Sequence, residues 1–180
     1  MMLNRVLAAV LAAACLPMSA QAADPPPDEP TAVLSGQQIE QALQRPVTRS
    51  FVPRGLTRRQ ETGAEQSVNL NIPFESNSSA LRPQAAAQLQ QLESALTSAS
   101  LGKDRFVVAG HTDAKGSATY NKQLSLRRAQ AVKRVLVTKG MDADRLDTVG
   151  YGSERLLAPD RPEDPSNRRV EIRDLGPKAP

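Results

Sequence analysis

The sequence predicts a two-layer α/β fold of the α+β kind: a mixed four-stranded sheet with two helices on one face, ordered β-α-β-α-β-β, the last strand antiparallel. Three observations carry this. SVNLNIPF from Ser67 and RRVEIRDL from Arg168 alternate apolar and polar residues, the pattern of a strand with one buried face. RFVVAG from Arg105 is continuously apolar, as in a strand that is central or buried on both faces. Between the strands, apolar residues recur at helical spacing.

The first strand turns Val68, Leu70 and Ile72 inward. The polar loop ESNSSALRP follows, and Pro83 suits the first position of a helix. Ala86, Leu89, Leu92 and Leu96 mark that helix's inner face through about residue 98. After the RFVVAG strand, a second helix is expected over about 118–139. Leu124, Val132, Val135 and Leu136 line its inner face, and Gly140 stops it. RLDTVGYG from Arg145 is the third strand, RPEDPSN a loop, and the fourth strand points Val170 and Ile172 inward. Strands alternating with helices run parallel, so the first three share a direction. The loop before the fourth leaves no room for a crossover helix, so that strand reverses. With 39% hydrophobic but only 3% aromatic residues, the core must be aliphatic.

The N-terminal third has a different character. MMLNR, the apolar run VLAAVLAAACLPMSA and the small-x-small site AQA at 20–22 form an export signal over residues 1–22. The apolar run is shorter than the roughly 20 residues a spanning helix needs. Cleavage after Ala22 removes Cys15, the sole cysteine. Cys15 is also a candidate lipidation site, because it follows LAAA, although Ala12 stands where such signals usually carry Leu. Residues 23–65 read as a proline-rich tether. Within it, Ser35 and Gln38 form a capping box for a short helix near 36–44, stopped by Pro46. Residues 66–175 make the domain, and 176–180 a tail.

Charge and composition exclude several functions. Residues 66–180 carry seventeen Lys and Arg against thirteen acidic residues, only mildly basic, and no aromatics interleave with the cations. A nucleic-acid partner is therefore not expected. His111 is the only histidine, so no metal shell can form around it, and no nucleophile elbow accompanies it. The chain reads as a non-enzyme without cofactor, and His111 as a packing or hydrogen-bonding residue.

One constellation stands out. The second strand ends in Gly-His-Thr-Asp, and the helix that follows carries Arg127 and Arg128. Ligands of open α/β sheets sit at the carboxyl ends of strands, where Asp113 lies. Asn121, Leu124 and Arg128 share one helix face, while Arg127 points about 100° away. Asp113 and Arg128 could form a dyad, a structural ion pair or a clamp. Arg128 lies about nine residues into the helix, about 14 Å along its axis, so its side chain must reach back to meet Asp113.

FxxNSSALRP from Phe74, GHTDAKGSATYNKQLSLRRAQAV from Gly110, RLDTVGYG from Arg145 and NRRVEI from Asn167 together resemble the OmpA-like C-terminal domain family over about residues 66–175. Four motifs in order make the match specific. The resemblance implies the same β-α-β-α-β-β fold. It also implies a peptidoglycan ligand in a Gram-negative envelope, held at the diaminopimelate residue of the stem peptide. Carried over motif by motif, Asp113 and Arg128 grip that residue, with Thr112, Asn121 and Arg168 in support. The free end of diaminopimelate is a zwitterion, whose ammonium suits a carboxylate and whose carboxylate suits an Arg fork. Backbone amides at the second helix's N-terminus could assist. Of Arg168 and Arg169, which strand alternation sends to opposite faces, Arg168 is expected to brace the site. The sequence departs from the family at GYGSERLLAPDRPEDPSN, where Ser153 replaces an acid and the loop is proline-rich, so the rim needs its own description. The expected location is the periplasm, beside the outer membrane and wall, with attachment through a lipid or a partner protein. The competing expectation is an envelope interaction protein whose N-terminal segment docks a partner.

Overall fold

The protein is described from a computed structural model, which covers residues 33–44 and 66–177. The expected signal peptide, Cys15, the rest of the 23–65 segment and the end of the tail lie outside the described residues. The elements are α1 (Gly36–Leu43), β1 (Ser67–Leu70), α2 (Ala85–Leu96), β2 (Asp104–His111), α3 (Ala118–Thr138), β3 (Leu146–Gly152) and β4 (Val170–Pro177), with single 3-10 turns before β3 and β4.

The sheet order is β1-β4-β2-β3. β2 and β3 are parallel, and β4 is antiparallel to both β1 and β2. The first three strands therefore share a direction and the fourth reverses, as its short preceding loop requires. The continuously apolar β2 is interior in the sheet. The fourth strand slots between β1 and β2, so among the described strands β1 pairs with β4 alone.

Side-chain alternation sends Val68, Leu70, Val170, Ile172, Phe106 and Val108 into one aliphatic core. Leu89, Leu92 and Leu96 of α2 and Ala129, Val132 and Leu136 of α3 fill it from the helical side. α2 starts two residues later than Pro83, so Ala85 rather than Ala86 opens its buried stripe. α3 ends where Gly140, at φ 102°, leaves the helix.

Two helices were expected on the sheet; a third joins them. α1 forms with its capping box intact, Ser35 accepting from Gln38 N–H while Gln38 accepts from Ser35 N–H. Its apolar face packs into the core of the domain. Ile39 and Leu43, one turn apart, are both 0% exposed. Burying two such side chains contributes about 1.5–3 kcal/mol each. Two glutamines of α2 complete the docking. Gln88 Oε1 accepts from Leu34 N at 3.0 Å, and Gln91 Oε1 accepts from Gly36 N at 2.8 Å. Backbone donors at the start of α1 are thus satisfied from the neighbouring helix.

α3 lies unusually close to the sheet. A methyl group added to Gly110 of β2 would stand 2.1 Å from the Ser125 carbonyl oxygen, and one added to Gly150 of β3 would stand 2.5 Å from Leu126 N. Bare backbone at these two positions lets the helix settle directly on the strand ends. Ser125 ties it there, accepting from Gly152 N at 2.9 Å and donating to Lys122 O. This approach fixes where Arg128 sits relative to the tip of β2.

Candidate functional site

The site forms where β2 ends. Asp113, two residues beyond the strand, has a nearly buried side chain. Its Oδ1 accepts from Lys115 N at 3.2 Å, an Asx-type turn that fixes the carboxylate's direction. Asn121, buried on the first turn of α3, donates to the carbonyls of Asp113 (3.3 Å) and Lys115 (2.8 Å). Asn121 thus shapes the loop and presents its own side chain to backbone. Thr112 is buried beside Asp113, and among the described residues its hydroxyl has no hydrogen-bond partner.

The direct partner of Asp113 is Arg168, not Arg128. Arg168 Nη1 donates to Asp113 Oδ2 at 2.9 Å. Arg169 turns elsewhere, donating to Asn69 Oδ1 at 2.8 Å, as opposite faces require. Arg127 is exposed and Arg128 half-buried, in keeping with the helical phase. Arg128 lies over the Phe74 ring, 5.0 Å from its centre, and its Nε donates to Ser78 O at 2.9 Å. Among the described residues no protein acceptor bonds its two terminal nitrogens. Burial lowers the pKa of Arg128, the charge of Arg168 lowers it further, and Asp113 pulls it back up. The three charged groups therefore share one electrostatic neighbourhood, and Arg128 remains a cation.

Two loops wall the site. One runs from Phe74 to Leu81, which pair across it in a single bridge, with Asn77 in the left-handed region at φ 50°. Tyr120 of α3 donates to Asn77 O at 3.3 Å, so Tyr120 and Arg128 together hold this loop against the helix. The other is the proline-rich segment after β3. Its organiser is the fully buried Asn167, whose Oδ1 accepts from Leu157 N and Ala158 N while its Nδ2 donates to Arg161 O and Pro162 O. Ala114 N donates to Pro162 O at 2.9 Å, joining this rim to the Asp113 loop. Ser117 caps α3 and takes the Tyr120 amide, leaving one fewer free amide at that terminus.

Phe74, Ser78 and Asn167 were not singled out from the sequence. Asn167 carried the clearest signal, a loop-favouring residue between a proline-rich stretch and paired arginines. Ser78 contributes a backbone carbonyl, which has no side-chain signature.

His111 sits outside the clamp. Its ring is fully buried, stacks on Tyr151 at 5.4 Å, and Nε2 donates to Glu171 Oε2 at 3.0 Å. That hydrogen bond, aided by Arg173 and Arg169, holds the Glu171 carboxyl below its ordinary value against the opposing effect of burial. A depressed carboxylate stabilises the fold fully above its unfolded pKa, near 4.5, and loses that contribution as pH falls through its folded value. The melting-temperature gap between the wild type and Glu171→Gln is expected to be full above about pH 5 and to shrink as pH falls below roughly 4.5. A gap independent of pH would show that His111 does not hold the carboxylate charged.

The arrangement can accept a ligand with an ammonium for Asp113 and a carboxylate for the free nitrogens of Arg128. No group of His, Cys, Asp and Glu among the described residues could hold a metal, and no helix among them is long and apolar enough to cross a membrane.

The model of the OmpA family matches residues 73–170, more than half of the chain. The chain belongs to the OmpA family. The peptidoglycan-associated lipoprotein of Pseudomonas aeruginosa is 40% identical over 102 residues, covering 56% of this chain and 59% of that protein. Outer membrane protein A of Bordetella avium is 34% identical over 115 residues, covering 63% and 58%. The chain thus spans less than two thirds of either relative. Among solved structures, the cell wall anchor of the T6SS from Pseudomonas aeruginosa superposes with a TM-score of 0.52 at 28% identity, covering 62% of this chain and 82% of that one. In this OmpA-family domain α1 lies in the sheet's helical layer with α2.

Proposed function

We propose that this OmpA-family chain binds peptidoglycan without catalysis, gripping the zwitterionic end of diaminopimelate between Asp113 and Arg128. One observation carries the reading: a nearly buried carboxylate and a half-buried guanidinium, whose two terminal nitrogens have no protein acceptor among the described residues, lie within each other's electrostatic reach yet do not bond each other. Two groups kept apart in this way complement a ligand bearing both charges on one carbon. The names of the relatives, a peptidoglycan-associated lipoprotein and a cell wall anchor, support the ligand class. The chain would work in the periplasm between outer membrane and wall, exported by residues 1–22 and, where Cys15 is lipidated, membrane-anchored.

The competing reading, an N-terminal segment that docks a partner protein, loses one element: the apolar face of α1 is already buried in the domain. Co-sedimentation tests the proposal. The protein should pellet with purified wall sacculi whose stems carry diaminopimelate and stay in solution with sacculi whose stems carry lysine. Equal pelleting with both would defeat the diaminopimelate assignment.

A further inference from the structure

The site holds one positive charge more than a zwitterion satisfies. Asp113 contributes one negative charge, and Arg128 and Arg168 one positive charge each. The charges nearest them on the rim are paired: Lys115 with Glu163 at 3.8 Å, and Arg161 with Asp164 at 2.7 Å. Farther along the loop, Lys122 pairs with Glu154 and Arg155 lies over the Tyr151 ring. Asp164 also feels the charge of Arg168, but its bonded partner is Arg161.

Arg168 spends its one side-chain bond on Asp113, the group that an incoming ammonium must take. Its side chain is 44% exposed against 11% for Asp113, so it has room on the solvent side to turn away. Once displaced, it stands at the mouth of the site as a cation with all its donors free, beside a second guanidinium that repels it. Such a group is stable there when a second anion arrives with the ligand.

We propose that Arg168 is a specificity-determining residue that reads a second carboxylate on the ligand, adjacent to the zwitterion. This rests on the zwitterion reading given above. In a stem peptide that carboxylate has two sources: the α-carboxyl of the γ-linked glutamyl residue preceding the diamino acid, and the main-chain carboxyl of the diamino acid where the stem ends there. Arg168 therefore exchanges a protein carboxylate for a ligand carboxylate, and the domain discriminates against stems in which that group is amidated or absent.

The test is calorimetry on the mature chain with three synthetic peptides of sequence L-Ala-γ-D-Glu-diaminopimelate. One keeps both carboxylates, one is amidated on the glutamyl residue, and one is amidated on the main-chain carboxyl of the diamino acid. One of the two amidations is expected to weaken wild-type binding about tenfold or more, as loss of a charge-assisted bond does, and that amidation identifies the source. The same amidation should leave Arg168→Gln unaffected, and Arg168→Lys should restore part of the discrimination. Amidations that weaken wild type and Arg168→Gln equally, or that do not weaken the wild type at all, overturn the proposal. The wild-type series decides the second case even if the variant fails to fold. Should no peptide bind the wild type, the zwitterion reading falls and this proposal with it.

Discussion

Asp113→Asn is expected to weaken binding of a diaminopimelate-containing stem peptide by about 30- to 100-fold, roughly 2–3 kcal/mol. The substitution keeps the shape of the side chain and its bond from Lys115 N but removes the charge. The ligand's ammonium would then enter a largely desolvated site with no counter-charge and face two guanidinium groups. Hydrogen bonds to charged groups lie at the strong end of the scale, and stranding one charged partner costs more than the bond itself. Arg127→Ala is the matched control: Arg127 sits on the same helix but faces solvent, so affinity should hold. Calorimetry reads both. A loss of less than threefold for Asp113→Asn would mean that the ligand's ammonium does not bind there.

Gly110→Ala should have the largest effect on stability. The added methyl group would stand 2.1 Å from the Ser125 carbonyl oxygen and 2.7 Å from its carbon, both backbone atoms of α3. No rotamer change relieves such a clash, so the helix must lift from the sheet. Overpacking typically costs 1–3 kcal/mol, and a backbone collision belongs at or above the top of that range. The melting temperature should fall by roughly 10 °C. Binding should fail as well, because Arg128 rides on α3 while Asp113 is mounted on β2. A thermal melt within a degree or two of the wild type would show that α3 does not depend on this approach.

The fold was legible in its local patterns and not in its long-range pairing. Alternation in β1 and β4, the apolar run of β2 and the helical spacing in α2 and α3 each report which face is buried. The absence of a helix before β4 reports its reversed direction. Nothing local says that β4 enters between β1 and β2, because register and neighbours are chosen by contacts distant in sequence. α1 shows the same division. Its capping box is a local signal, whereas its docking depends on Gln88 and Gln91, which lie 54 and 55 positions along the chain from the amides they accept from at the start of α1.

The site divides likewise. Asp113 and Arg128 follow from strand end and helical phase. That Arg168 pairs with Asp113, and that Arg128 leans on Phe74 and Ser78, follows from loops whose closure only the assembled sheet fixes. The rim departs from the family pattern, yet the buried Asn167 gathers four backbone groups and gives that loop one defined shape.

On the proposed reading, Asp113 and Arg128 receive the two charges at the end of diaminopimelate. Calorimetry with two stem peptides that differ only in diaminopimelate or lysine at the third position tests it most directly, since lysine keeps the ammonium and lacks the second carboxylate. The diaminopimelate peptide is expected to bind at least about tenfold tighter, the worth of one charge-assisted bond to Arg128, and Arg128→Ala is expected to erase the difference. Equal affinity for the two peptides in the wild-type protein would contradict it.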